Sequence, residues 1–214
     1  LTAVLSNWWI WSGGFAMPMA SLLILIVLIY VVNVAYGYFV ESRQQRQMAG
    51  LFGQYVPPEL VEKMAENPLK YNMASKKARL TVLFADIVGF TSISEKLTPS
   101  ELSEFVNGYL TEMSFVIRQS GGTLDKYIGD AIMAFWGAPL EDPEHPNHAV
   151  GAALAMQAKL QELKETYKQK NWPNIAVGLG LSTGDMTVGD MGSNVRKAYT
   201  VMGDAVNLGS RLEG

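Results

Sequence analysis

Thr123-Leu124-Asp125-Lys126-Tyr127-Ile128-Gly129-Asp130-Ala131-Ile132-Met133-Ala134-Phe135-Trp136 is the stretch that decides the fold. Two short runs, 123–128 and 131–136, flank Gly129-Asp130, a residue pair suited to a tight hairpin turn. Upstream, Leu80-Thr81-Val82-Leu83-Phe84-Ala85 has the length and apolar character of a buried strand. It ends on Asp86 and passes into the turn Val88-Gly89-Phe90-Thr91. Between that strand and the hairpin, Thr98-Pro99-Ser100-Glu101 has the form of a capping box with proline in the first turn. The amphipathic pattern that follows runs to about Gln119, where Gly121-Gly122 stops it. Beyond a proline-rich loop at 139–146, which carries His145 and His148 as expected surface residues, a second amphipathic helix is predicted from Ala149 to about Lys170. Strands are then predicted at 175–182, 186–190 and 197–202. Strand, helix, strand, strand, helix, strand is the order of an α+β, ferredoxin-like split βαβ sheet, here with extra strands.

Composition narrows the function. The 214 residues carry 17 Lys and Arg against 20 Asp and Glu, a formal net charge of −3. With no excess of cation to displace counterions from phosphates, nucleic acid is not expected as a partner. Cysteine is absent, which excludes disulfide frameworks, thiolate zinc sites and cysteine nucleophiles.

The charges are unevenly placed: residues 1–40 contain no Asp, Glu, Lys or Arg. Within them, 17–40 is an almost wholly apolar run centred on Leu22-Leu23-Ile24-Leu25-Ile26-Val27-Leu28-Ile29. As a helix it would span roughly 36 Å, enough for a bilayer core of roughly 30 Å. Residues 1–11, with Trp8, Trp9 and Trp11, read as the end of a preceding span, and 12–16 as an outer loop. Basic residues follow the span (Arg43, Arg46, then Lys63 onward) and none precedes it. The positive-inside tendency therefore places the rest of the chain in the cytoplasm, anchored to an inner or plasma membrane, with the lipid bilayer as a partner.

Residues 41–78 form an expected helical connector. Met48, Leu51, Phe52 and Tyr55 fall on one helical face before Pro57-Pro58 ends it. This stripe suits either packing on its own domain or pairing with a second copy.

The chemistry concentrates in 79–214. Strands one and three are neighbours in the split βαβ layout, so Asp86 and Asp130 can meet at one edge of the sheet. Two carboxylates together suit Mg²⁺, which takes one or two of them plus substrate phosphates. The backbone N–H groups of Val88, Gly89, Phe90 and Thr91 can cradle a polyphosphate beside them.

Phe84-Ala85-Asp86-Ile87-Val88-Gly89-Phe90-Thr91, Lys126-Tyr127-Ile128-Gly129-Asp130 and Tyr199-Thr200-Val201-Met202-Gly203-Asp204-Ala205-Val206-Asn207-Leu208, through Ser210-Arg211, resemble the class III adenylate/guanylate cyclase catalytic domain. Residues 51–59 resemble the stretch preceding many bacterial members, and the Trp-rich spans resemble those following an extracytoplasmic CHASE-type sensor. The resemblance implies a membrane-anchored adenylate cyclase that converts ATP to cyclic AMP and pyrophosphate. Asp86, the Ile87 carbonyl and Asp130 would hold two divalent ions, Mg²⁺ or Mn²⁺. Lys126 and Thr200, with Val201 beside them, would read the purine, and the lysine suits ATP because it can donate to adenine N1. Asn207 would orient the ribose, and Arg211 would meet the charge on the α-phosphate. The resemblance further implies a homodimer with shared active sites, and closing strands with a phosphate-binding lysine beyond Gly214. A guanylate cyclase of the same class and a catalytically silent nucleotide-sensing module are the alternatives. A diguanylate cyclase would carry Gly-Gly-Asp/Glu-Glu-Phe where this chain has Tyr127-Ile128-Gly129-Asp130.

Overall fold

β1 (Lys76–Ile87) is the centre of the sheet in the computed structural model, which describes residues 22–36, 74–193 and 197–214. Leu80 to Ala85 are all buried because both faces of this strand are covered. Leu83, Ala85 and Ile87 point to one face; Leu80, Val82 and Phe84 point to the other. The remaining elements are α2 (Phe90–Ser94), α3 (Pro99–Gln119), β2 (Thr123–Ile128), β3 (Ala131–Trp136), α4 (His145–Gln169), β4 (Val177–Gly192), β5 (Lys197–Met202) and α5 (Asp204–Glu213). The helix over residues 22–36 is α1.

The strands pair antiparallel in the order β2-β3-β1-β4-β5. The first four give the split βαβ arrangement, and β5 is the extra strand. On one face, α3 presents Phe105, Tyr109, Met113 and Ile117 at fourfold spacing, and α4 presents Ala149, Ala152, Met156, Leu160 and Leu163. Thr98 caps α3 in a full capping box with Glu101, a device worth about 1 kcal/mol.

The other face is closed differently. β5 lies at the end of the hydrogen-bonded order, yet its Tyr199 and Val201 pack with Phe84, Met133 and Phe135. The last part of β4 and β5 therefore fold back over the sheet and bring β5 to β2. α5 lies on the same face, so close that a Cβ at Gly180 would collide with the backbone of Gly209 and Glu213.

Three sequence expectations change. The strands expected at 175–182 and 186–190 are one continuous β4. Gly184-Asp185 makes no turn because it pairs with Leu80 and Arg79, and Lys77 holds Asp185 at 3.0 Å. α4 begins at His145 rather than Ala149, with Pro146 in its first turn. His145 is buried instead of exposed, its Nδ1 lying 2.7 Å from the Thr81 hydroxyl; His148 is exposed and paired with Asp142.

The chain divides into two units, residues 1–46 and 47–214. In the first, α1 is helical as the apolar run predicts, and its large apolar side chains are all exposed. Among the described residues no helix is long and apolar enough to cross a membrane. The rest of 17–40, the Trp-rich start and the Met48–Tyr55 stripe lie outside the described residues.

Candidate active site

Asp86 ends β1 and Asp130 occupies the turn between β2 and β3. Since β1 and β3 pair antiparallel with Ala85 opposite Ile132, both carboxyl groups arrive at one end of the sheet. They are close enough for the Asp86 carboxyl group to act electrostatically on Asp130. The Ile87 N–H donates to Asp86 Oδ1 at 3.0 Å. Asp130 Oδ2 is buried without a hydrogen-bond partner. Burial first, and the Asp86 carboxyl group second, push the Asp130 pKa up to about 6. An orphaned carboxylate oxygen beside a second carboxyl group is what a cation would satisfy, so these residues fit a divalent metal. Among the described residues no cluster of three or more Asp, Glu, His or Cys is placed to bind one. A cation here would draw its other oxygens from backbone and substrate, as Mg²⁺ does.

The turn after Asp86 is partly as expected. Gly89 sits at φ 69°, in the left-handed region, and its carbonyl accepts the Ser92 and Ile93 N–H groups as α2 begins. The Val88 N–H is committed to the Ala176 carbonyl at 2.9 Å. The cradle therefore reduces to Gly89, Phe90 and Thr91.

The fold-back of β5 creates a second cluster. The Lys126 ammonium donates to the Thr200 hydroxyl at 3.1 Å, joining residues from the two edge strands. Thr200 in turn donates to Asp125 Oδ2 at 2.5 Å. Asp125 Oδ1 is buried and accepts no well-formed hydrogen bond, but the Lys126 ammonium stands 3.3 Å from it. Burial raises the Asp125 pKa, and hydrogen bonds from Thr200, Lys126 and the Val201 backbone oppose the rise. Nothing in the local sequence pattern singles out Asp125. It is the extra residue of a β-bulge, inserted between Leu124 opposite Ala134 and Lys126 opposite Met133. The bulge re-aims consecutive side chains toward one neighbour, which strict strand alternation does not foresee.

Asn207 and Arg211 lie one turn apart on α5, both exposed, while Gly209 on the same helix is buried. Leu208 and Leu212 beside them are exposed apolar side chains. Among the described residues, neither polar side chain has a hydrogen bond or ion pair with the other candidate groups. α5 also delivers Glu213, unremarked in the sequence, onto Gly178 and Gly180. Its pKa is raised by burial and by Asp86.

Residues 73–214 match the family described as the adenylate and guanylate cyclase catalytic domain. Over 163 residues the chain is 37% identical to adenylate cyclase 1 of Rhizobium meliloti, covering 76% of this chain and 24% of that protein. The chain thus spans about a quarter of that relative's length. Among solved structures, the adenylyl cyclase CyaB from P. aeruginosa is 37% identical with a TM-score of 0.64, over 65% of this chain and 73% of that one. The guanylyl cyclase Cya2 is 36% identical with a TM-score of 0.63, over 66% of this chain and 72% of that one.

Proposed function

The chain belongs to the adenylate and guanylate cyclase catalytic-domain family, and from that premise we propose that it converts ATP to 3′,5′-cyclic AMP and pyrophosphate. The observation that carries the reading is the meeting of Asp86 and Asp130 at one sheet end, with Asp130 Oδ2 buried and unpartnered. Asp86, Asp130 and the Ile87 carbonyl would hold divalent ions, Mg²⁺ or Mn²⁺. When bound, such ions lower the pKa of the attacking ribose hydroxyl and neutralise charge on the departing pyrophosphate.

The chain's own groups do the positioning. Gly89, Phe90 and Thr91 present backbone N–H groups to the polyphosphate. Lys126 donates to adenine N1, and Thr200 stands beside it at the base edge. Asn207 orients the ribose, and Arg211 stabilises charge on the α-phosphate. Identity alone does not choose the purine, since an adenylyl and a guanylyl cyclase are almost equally similar. Lys126 favours ATP, because guanine carries N–H at N1 and would face a donor with a donor.

Asn207 and Arg211 are exposed beside Leu208 and Leu212, on a helix surface that the other described residues leave uncovered. This supports a homodimer in which each site combines the aspartates of one protomer with the α5 residues of its partner. The charge-free helix at 22–36, with its exposed Leu, Ile and Val side chains, supports a bilayer anchor, and the basic Arg43 and Arg46 that follow the apolar run support a catalytic unit on the cytoplasmic side of an inner or plasma membrane. The test is to give the full-length protein ATP or GTP with each metal and identify the product by mass spectrometry. Cyclic AMP as the major product supports the reading; cyclic GMP as the major product selects the guanylate alternative, and neither product overturns it.

A further inference from the structure

Thr200 carries one proton and two lone pairs, and the structure accounts for the proton and one lone pair. The proton goes to Asp125 Oδ2, at 2.5 Å. One lone pair accepts from the Lys126 ammonium, at 3.1 Å. What remains for a ligand is a single lone pair, so the hydroxyl is free only to accept.

That state depends on Asp125. The carboxylate is buried, and everything that reaches it is a donor: the Thr200 hydroxyl, the Lys126 ammonium and the Val201 backbone N–H. Among the described residues no other acceptor competes for the Thr200 proton in this cluster. Without Asp125 the hydroxyl would rotate freely and could donate to a base as easily as accept from it.

We infer that Asp125 is a specificity-determining positioning residue, which fixes Thr200 as an acceptor and so selects adenine over guanine. The inference rests on reading Lys126 and Thr200 as the base-facing pair. Adenine offers an acceptor at N1 and an amino donor at position 6; guanine offers N–H at N1 and a carbonyl acceptor at position 6. A locked pair of Lys126 as donor and Thr200 as acceptor complements adenine at both positions. Against guanine it sets donor on donor and acceptor on acceptor, the unmatched contact that makes discrimination large. Asp125 does not touch the base; it acts through the orientation of one hydroxyl.

The test is the ratio of kcat/KM for ATP to that for GTP, measured on the full-length protein. Asp125→Ala should lower the ratio about tenfold, the effect of one hydrogen bond's pattern. Asp125→Ala combined with Thr200→Asp should bring the ratio back, because an aspartate at 200 is an acceptor with no proton to place. Thr200→Val, which leaves Asp125 in position, should lower the ratio as Asp125→Ala does and keeps the test open if that variant does not fold. A merely structural Asp125 would depress both nucleotides in proportion, and Thr200→Asp would restore nothing. A wild-type ratio in either single variant, or no recovery in the double variant, overturns the inference while leaving cyclase activity established. A wild type that cyclises neither nucleotide, or prefers GTP, overturns the proposed function and this inference with it.

Discussion

Asp130 faces Asp86 where β1 meets the β2–β3 turn, with one Asp130 oxygen buried without a partner. Burial and the neighbouring carboxyl group hold the Asp130 proton up to about pH 6. A cation placed between them must displace that proton. Metal affinity should therefore fall as pH drops below about 6, with proton release on binding that is larger at pH 5.5 than at pH 7.5. Calorimetric titration with Mn²⁺ in buffers of different ionisation enthalpy measures both. Affinity and proton release that do not change across this range would remove the coupling.

A second prediction concerns base choice. Lys126→Glu replaces a donor with an acceptor opposite adenine N1 and breaks the 3.1 Å contact with Thr200. The kcat/KM for ATP should fall by about 10²-fold or more, as expected when a polar contact to the substrate is mismatched. Steady-state kinetics with ATP gives the answer, and unchanged ATP turnover would show that Lys126 does not face the base.

Much of this site was legible in the chain before the structure. Two strands of the hairpin and the capping box at Thr98 are local features, and they form at the residues that carry their signals. The meeting of Asp86 with Asp130 follows once β1 and β3 are neighbours, which the element order implies. What escaped was non-local. The 16-residue β4 is continuous because β1 is long enough to pair with it past Gly184, and the sequence shows no sign of that length. The bulge at Asp125 and the fold-back of β5 depend on the packing of Tyr199 and Val201 over Phe84 and Phe135. His145 read as a loop residue because its partner, Thr81, lies 64 positions away.

The burial of His145 has a consequence for stability. Burial holds its pKa below the ordinary value, against the opposing pull of Asp142 and with a smaller push in the same direction from Arg79. The unfolded chain then takes up a proton that the folded chain resists. This group's contribution is fully present above about pH 6.5 and is lost as pH falls below it. Asp130, whose folded pKa is raised, runs the opposite way, so the comparison should be made within a variant pair. Wild type should lose more thermal stability than His145→Gln between pH 7.5 and pH 5.5. Parallel losses would show that His145 does not titrate on unfolding.

Shared sites make a complementation prediction. Asp86→Ala and Arg211→Ala, each alone, should be inactive, since every site of each homodimer carries the lesion. Co-expressed, they should recover about a quarter of wild-type activity at random pairing, because half the dimers are mixed and each has one intact site. Mixed dimers shown by pull-down but no more active than either variant would remove the shared-site arrangement.

The central claim is that Asp86 and Asp130 hold the metal that turns ATP into a cyclic nucleotide. It is tested most directly by supplying ATP and Mn²⁺ to the full-length wild type, Asp86→Asn and Asp130→Asn, and quantifying cyclic AMP and pyrophosphate together. Wild type should release the two products in equal amounts. Each asparagine variant should lose about 10²-fold or more of the rate while keeping the wild-type circular dichroism, since charge is removed and shape is kept. ATP left uncyclised by wild type, or near-normal turnover in either variant, would contradict the account.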